Sequence, residues 1–289
     1  DYSAALSSAA SLLGPMIPPS ITLIVYAGLT EASVQKLFLA TLTPAVLCTV
    51  AFLAYTLWYG KKKNLPKQPK KTAKEAGKIM LDAIWALLLP VIVLGLIFSG
   101  ATTVTEAAAV SCLYSAVVSL FIYKTITFKD LLKILGDSAV SIAAIMILVG
   151  MSKATAYVVI SSQMPQLFMD FITSITDSRF VVLLIINVIF LILGCLMEGN
   201  CIIVMMVPLL LTLVKSFGID LLQFGVMSAI NIYIGCITPP VGVSLLLGCK
   251  LGKTSVGGTF KAILPFFAIS MVILILVTYW PSFTLWLIH

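Results

Sequence analysis

Histidine is all but missing from this chain: the one histidine among 289 residues is His289. That scarcity leaves no core imidazole for a catalytic base or a metal site. Arginine is equally scarce, with Arg179 alone. Charged residues make up 10% of the chain, against about 25% in soluble domains, so a water-soluble globule is excluded. The cysteines Cys48, Cys112, Cys195, Cys201, Cys236 and Cys249 form no C-x-x-C pair and sit in apolar surroundings. They read as small buried hydrophobes rather than as disulfide or metal ligands. No alternating ten-residue pattern of the barrel type occurs, which favours helices. There is no start methionine and no basic-then-apolar signal pattern; the sequence is expected to be a piece of something longer or a processed product.

What is present is apolar sequence. Hydrophobic residues are 61% of the chain and mean hydropathy is +1.14. Long apolar runs at 83–98, 139–149, 180–196 and 262–279 approach the ~20 residues a helix needs to span a bilayer. The net charge of +7 does not mark a nucleic-acid binder, because it is concentrated in one place. Eight lysines fall within 61–78, with no aromatic interleaving and no nucleic-acid motif. A juxtamembrane polybasic loop of this kind belongs in the cytoplasm. Alternating from there places 14 of the 18 cations on the cytoplasmic side and leaves Lys36, Arg179 and Lys215 outside, with Lys153 within a span.

The strongest local signal is a pair of Pro-Pro breaks inside apolar segments. One is Gly14-Pro15-Met16-Ile17-Pro18-Pro19-Ser20; the other is Gly235-Cys236-Ile237-Thr238-Pro239-Pro240-Val241-Gly242. Proline removes an amide donor and clashes with the preceding turn, so neither helix runs through. Lipid cannot satisfy the freed carbonyls, so such a break is tolerated only where protein or a polar cavity surrounds it. Matching breaks in two halves of a membrane chain point to a midplane transport site.

Between the breaks, 37–59, 83–98, 107–123 and 137–160 read as spans, with interfacial helices expected at 74–82, 127–133 and 166–175 and Thr127 as an N-cap. Thr105-Glu106 is expected to cap the helix at 107–123. Residues 180–193 and 201–214 are apolar but short. Between them lies the polar stretch Gly194-Cys195-Leu196-Met197-Glu198-Gly199-Asn200. Two half-length helices around a polar tip read as a re-entrant hairpin with both ends outside. Counting them as two full spans leaves the sidedness downstream unchanged. The last span is 259–280.

The motifs Gly14 to Ile21, Thr105-Glu106-Ala107-Ala108-Ala109-Val110, the tip at 194–200, Gly218-Ile219-Asp220 to Phe224-Gly225, and Thr238-Pro239-Pro240-Val241-Gly242 recur in one family. Through them the chain resembles the large membrane subunit of tripartite ATP-independent periplasmic (TRAP) transporters, within the wider ion-transporter superfamily. Order and spacing agree over essentially the whole chain; the family's N-terminal third, with its first hairpin, is absent. Val104 stands where the family usually has proline. The resemblance implies an all-α polytopic protein of the bacterial inner membrane, an elevator-type transporter with a re-entrant hairpin and broken helices in inverted repeats. It implies Na⁺-coupled import of small organic anions such as C4-dicarboxylates or sialic acid, with a small membrane subunit and a periplasmic substrate-binding protein as partners. It implies no enzyme activity.

The expected organisation is a first broken helix at 1–28, scaffold spans at 29–179, the hairpin at 180–217, a second broken helix at 218–249, and a cytoplasmic loop with the last span at 250–289. A transport unit of 1–28 and 180–249 would move against the remaining spans. Na⁺ prefers oxygen ligands, which carbonyls at Pro-Pro breaks and half-helix ends supply, while half-helix N-termini present amide donors to a carboxylate. The candidate ion- and substrate-binding residues are Pro18, Ser20, Glu198, Gly199, Asn200, Asn231, Gly235, Thr238, Pro239 and Gly242. Na⁺ itself is expected at Glu198, Asn200, Gly235 and Thr238, mostly through backbone oxygens.

Each candidate has a plainer alternative. Glu198 and Asn200 can be a capping pair for the second half-helix. Gly235 and Thr238 can mark a purely steric kink. Ser20 and Thr22 follow a break whose hairpin is missing. Asn187 and Asn231 can serve interhelical hydrogen bonds, and Lys153 can snorkel. At the level of function the alternatives are an ion-transporter carrier or antiporter working without a binding protein, and a non-transporting membrane scaffold. An intramembrane enzyme lacks any nucleophile-base constellation here.

Overall fold

The computed structural model describes residues 1–64 and 72–288, and among them every regular element is helical. Lys67, Lys70 and Lys71 of the polybasic loop and the side chain of Lys153 lie outside the described residues. The helices are α1 (Tyr2–Ala10), α2 (Leu13–Met16), α3 (Ile21–Thr30), α4 (Val34–Lys62), α5 (Ala73–Phe98), α6 (Val104–Val117) and α7 (Phe128–Ser161). They continue with α8 (Met164–Ile175), α9 (Arg179–Leu196), α10 (Gly199–Ser216), α11 (Leu221–Cys236), α12 (Val243–Gly252), α13 (Val256–Tyr279) and α14 (Pro281–Leu285). Seven helical stretches among the described residues are long and apolar enough to cross a membrane by length and composition. The chain is thus an all-α polytopic membrane protein.

Several boundaries differ from those the sequence suggests. Residues 127–133 and 137–160 form the single helix α7, because one glycine, Gly136, costs a helix only about 1 kcal/mol and does not end it. The stretch at 74–82 likewise joins the span after it as α5. The cap of α6 is Thr103, not Thr105. Thr103 Oγ1 accepts the Glu106 N–H at 3.2 Å, and Glu106 Oε2 accepts the Thr103 N–H at 2.7 Å. That reciprocal pair requires the Thr-x-x-Glu spacing, which Thr105 cannot provide. Beyond Val117 the backbone runs as a short π-helix to Ile122.

The chain divides into two compact units, Asp1–Leu57 with Leu148–His289, and Trp58–Ile147. In the second unit α5 packs on α6. Tyr123 Oη there donates to the Asp82 carbonyl at 2.6 Å, and Tyr114 Oη to the Trp85 carbonyl at 2.8 Å.

The first unit contains both breaks and the hairpin. There α9 packs on α11, α10 on α3 and α8, and α1 on α12 and α13. Its core centres on Phe224 of α11, whose ring centroid lies 6.1 Å from those of Tyr26 and Phe190. All three rings are fully buried. Tyr26 Oη donates to the Leu221 carbonyl at 2.6 Å, so the polar end of the buried phenol is satisfied. Gln223, also buried, donates through Nε2 to the Val277 and Thr278 carbonyls at 3.0 and 2.7 Å, tying α11 to α13.

Candidate functional site

Both breaks form at the predicted places. In the first, α2 ends at Met16, Ile17 is extended, and Ser20 caps α3 by accepting the Leu23 N–H at 3.5 Å. In the second, α11 ends at Cys236 and α12 begins after Gly242. The Pro18-Pro19 and Pro239-Pro240 bonds are both cis. Because Pro239 and Pro240 carry no N–H, the carbonyls of Gly235 and Cys236 lose their α-helical donors four residues on. The Gly235 carbonyl instead accepts the Thr238 N–H at 2.8 Å, a tightened last turn. Thr238 Oγ1 donates to the Ile234 carbonyl at 2.8 Å, leaving its lone pairs available.

The hairpin helices α9 and α10 are 18 residues each, about 27 Å by helical rise, and both belong to the seven stretches long and apolar enough to cross a membrane. Met197 and Glu198 join them. Glu198 is the N-cap of α10: its Oε2 accepts the N–H groups of Asn200 and Cys201 at 2.9 and 3.2 Å. Its Oε1 accepts Asn200 Nδ2 at 2.9 Å. A carboxylate at this position satisfies orphan amides and complements the helix dipole.

The tip connects to both broken helices. Asn200 Oδ1 accepts from Thr22 Oγ1 of α3 at 2.9 Å, and Thr22 Oγ1 also pairs with Tyr233 Oη of α11. The Gly242 N–H at the start of α12 donates to the Cys195 carbonyl at the end of α9, at 3.1 Å. Gly194 and Gly235 meet backbone to backbone. A Cβ on Gly235 would lie 2.5 Å from the Gly194 Cα, and one on Gly194 would lie 2.6 Å from the Ile232 carbonyl oxygen. Only glycine at both positions permits this crossing of α9 and α11. Gly242 has φ +50, and a Cβ there would lie 2.7 Å from the Thr238 carbonyl oxygen.

The structure therefore brings Glu198, Gly199 and Asn200 together with Thr22, and holds Gly235, Thr238, Pro239 and Gly242 beside the same hairpin tip. Pro18 and Ser20 are buried in the first break, and Ser20 serves its own helix. Asn231 is wholly buried; its Nδ2 donates to the Asn187 carbonyl and Oδ1 at 2.8 and 2.7 Å, while its own Oδ1 has no partner. Asn187 Nδ2 in turn reaches Thr278 Oγ1 at 3.1 Å. Among the described residues no hydrogen bond joins Thr238 to Glu198 or Asn200, and no group of three His, Cys, Asp or Glu side chains is placed to hold a metal. Oxygen donors here are carbonyls, hydroxyls, amides and one carboxylate, a set suited to a hard cation. Sequence reasoning missed Tyr233. The only signal was a phenol in an apolar run, which needs a polar partner when buried.

Comparison with known proteins places this geometry in context. Residues 1–283 match the family described as tripartite ATP-independent periplasmic transporter, DctM component. The chain is 34% identical over 285 residues to the sialic acid TRAP transporter large permease protein SiaM of Vibrio cholerae, covering 99% of this chain and 67% of that protein. It is 37% identical over 284 residues to the C4-dicarboxylate TRAP transporter large permease protein DctM of Pseudomonas aeruginosa, covering 98% and 66%. It is 32% identical over 282 residues to the 2,3-diketo-L-gulonate TRAP transporter large permease protein YiaN of Escherichia coli, covering 98% and 66%. The chain thus spans about two thirds of the length of these relatives, which are named as transporter subunits and not as enzymes. The family and the seven apolar helical stretches identify a multi-pass protein of the inner membrane. The chain belongs to the DctM component family of tripartite ATP-independent periplasmic transporters.

Proposed function

We propose that this chain forms the carrier part of a TRAP-type large permease subunit that imports small organic acids by coupling them to Na⁺. The observation that carries the reading is the chain of hydrogen bonds from Glu198 through Asn200 and Thr22 to Tyr233, which couples the hairpin tip to both broken helices. A hairpin tip bonded to two breaks is a gate whose geometry depends on what lies at the breaks. The Gly235 and Cys236 carbonyls, Thr238 Oγ1 and the Glu198 carboxylate supply oxygen to a Na⁺ ion, and the amides of the first turn of α12 face an organic carboxylate. The named substrates of the relatives, sialic acid, C4-dicarboxylates and 2,3-diketo-L-gulonate, share a carboxylate and small size. Substrate of this class, delivered by a periplasmic binding protein, would cross as residues 1–28 and 180–249 move against the other spans, with a small membrane subunit alongside.

The test is uptake by the full-length subunit with its partners in proteoliposomes. Uptake of sialic acid or a C4-dicarboxylate should require an inward Na⁺ gradient. Glu198→Gln keeps an acceptor at the cap but removes the charge, and should raise the Na⁺ concentration for half-maximal uptake about tenfold. Uptake indifferent to Na⁺ would sink the coupling, and an unchanged Na⁺ dependence in Glu198→Gln would remove Glu198 from the ion site.

A further inference from the structure

We propose that the cleft between the start of α9 and the end of α13 binds a membrane phospholipid of the outer leaflet, with its phosphate on Arg179 and one acyl chain in the groove below. The cleft has a volume of about 340 Å³ and is lined by Arg179, Phe180, Leu183, Thr278, Tyr279 and Pro281. Arg179 is the one arginine of the chain and lies on the outer side by the charge count. Among the described residues its guanidinium reaches a single partner, Gln223 Oε1, at 3.5 Å. That amide is itself held by the Val277 and Thr278 carbonyls, so it orients the guanidinium without saturating its five donors. A planar fork with free donors matches a phosphate.

The surroundings set the depth. Phe180 stacks on Tyr279 with centroids 4.1 Å apart, and exposed Trp280 follows at the end of α13. Aromatic rings of this kind mark the headgroup level. Directly adjoining, and sharing Thr278 and Tyr279 as a wall, is a mostly apolar cavity of about 140 Å³ whose lining includes Leu184, Val188, Leu191, Met271 and Ile275 together with Asn187. From Arg179 to Leu191 the helix rises about 18 Å, close to the ~15 Å depth of one leaflet's hydrocarbon. A cation at the headgroup level above an apolar groove one leaflet deep fits a phospholipid. A free anion would leave the groove unused. The candidate transport site is at the other end of α9, about 26 Å away by helical rise, so the two are separate.

The full-length subunit, purified in mild detergent and stripped of lipid, is titrated with phosphatidylglycerol and read by native mass spectrometry. One tightly held lipid is expected, its affinity reduced about tenfold in Arg179→Gln and only partly restored in Arg179→Lys, which keeps the charge but not the fork. Val188→Trp fills the groove while leaving Arg179 intact, and should weaken binding to a similar extent. Wild-type lipid affinity in both Arg179→Gln and Val188→Trp overturns the proposal. Displacement of the lipid by inorganic phosphate, with Val188→Trp behaving as wild type, also overturns it, in favour of a free-anion site. Neither result bears on Na⁺-driven uptake.

Discussion

Glu198 caps α10 and is also the residue proposed above to meet the ion. A lone carboxylate between two apolar helices is conspicuous in the sequence. Its oxygens are engaged by the first turn of α10 and by Asn200, so its removal has a structural consequence whatever else it binds. Glu198→Ala should lower stability by about 1 kcal/mol, the usual loss for an N-cap, visible as a drop in thermal unfolding temperature in detergent. Glu198→Gln should retain most of that stability, which separates the capping role from the proposed ion role. At Tyr233 the deletion is a single hydroxyl. Tyr233→Phe leaves Thr22 bonded to Asn200 and should cost about 1 kcal/mol, read as faster amide exchange in the first turns of α3 and α10. Unchanged exchange there would mean that the phenol does not hold the tip. Thr22 and Tyr233 lie too far apart in sequence for any local pattern to pair them; only the packing of α3 against α11 does so.

Helices meet here through what glycine omits. The α9–α11 crossing requires that neither Gly194 nor Gly235 carry a side chain, because each faces the backbone of the other helix. Gly235→Ala should cost about 1–3 kcal/mol by overpacking and displace the hairpin from the second break; Gly194→Ala should do the same. If their combined effect equals the sum of the single ones, the two glycines do not share a contact. Helix starts outside the spans are pH-sensitive in a defined direction. Hydrogen bonds from Thr127 hold the Asp130 carboxyl below its usual range, and those from Thr72 do the same for Glu75. A lowered carboxylate pKa stabilises the folded cap fully above the unfolded value of about 4, and the contribution is lost as pH falls through the lower folded value. Protection of the first-turn amides of α5 and α7, measured relative to their intrinsic exchange rates, should therefore fall only in acid, below about pH 4. The sequence suggested Thr127 as a cap, but set Thr105 in place of Thr103. The error was one of spacing: a capping box sets its partners three positions apart, and the competing signal of an adjacent Thr-Glu pair does not meet that need.

Across the whole molecule, apolar side chains turn outward along the spans, including Val272 and Leu264 of α13. In water such a surface would aggregate; in lipid it is the ordinary exterior. Val272→Lys places a charge on that surface within a span and should cost roughly 2.5–3.5 kcal/mol of membrane insertion. The readout is the fraction of subunit recovered in membranes; unimpaired recovery would place this face of α13 against protein or water.

Composition and periodicity alone determined that the chain is helical and spans a membrane, because a bilayer leaves few solutions for a backbone that must satisfy its own hydrogen bonds. The paired prolines marked where the two helices break, because two successive residues without an N–H leave two carbonyls without donors, whereas the single prolines Pro44, Pro90, Pro208 and Pro265 lie inside helices. The tertiary structure decided what the breaks face. It joined Thr22 to Asn200 and Tyr233, set Gly194 against Gly235, and oriented Arg179 through Gln223. These pairings depend on long-range packing between helices far apart in the chain, and no local pattern in the sequence encodes which face of one helix meets which face of another.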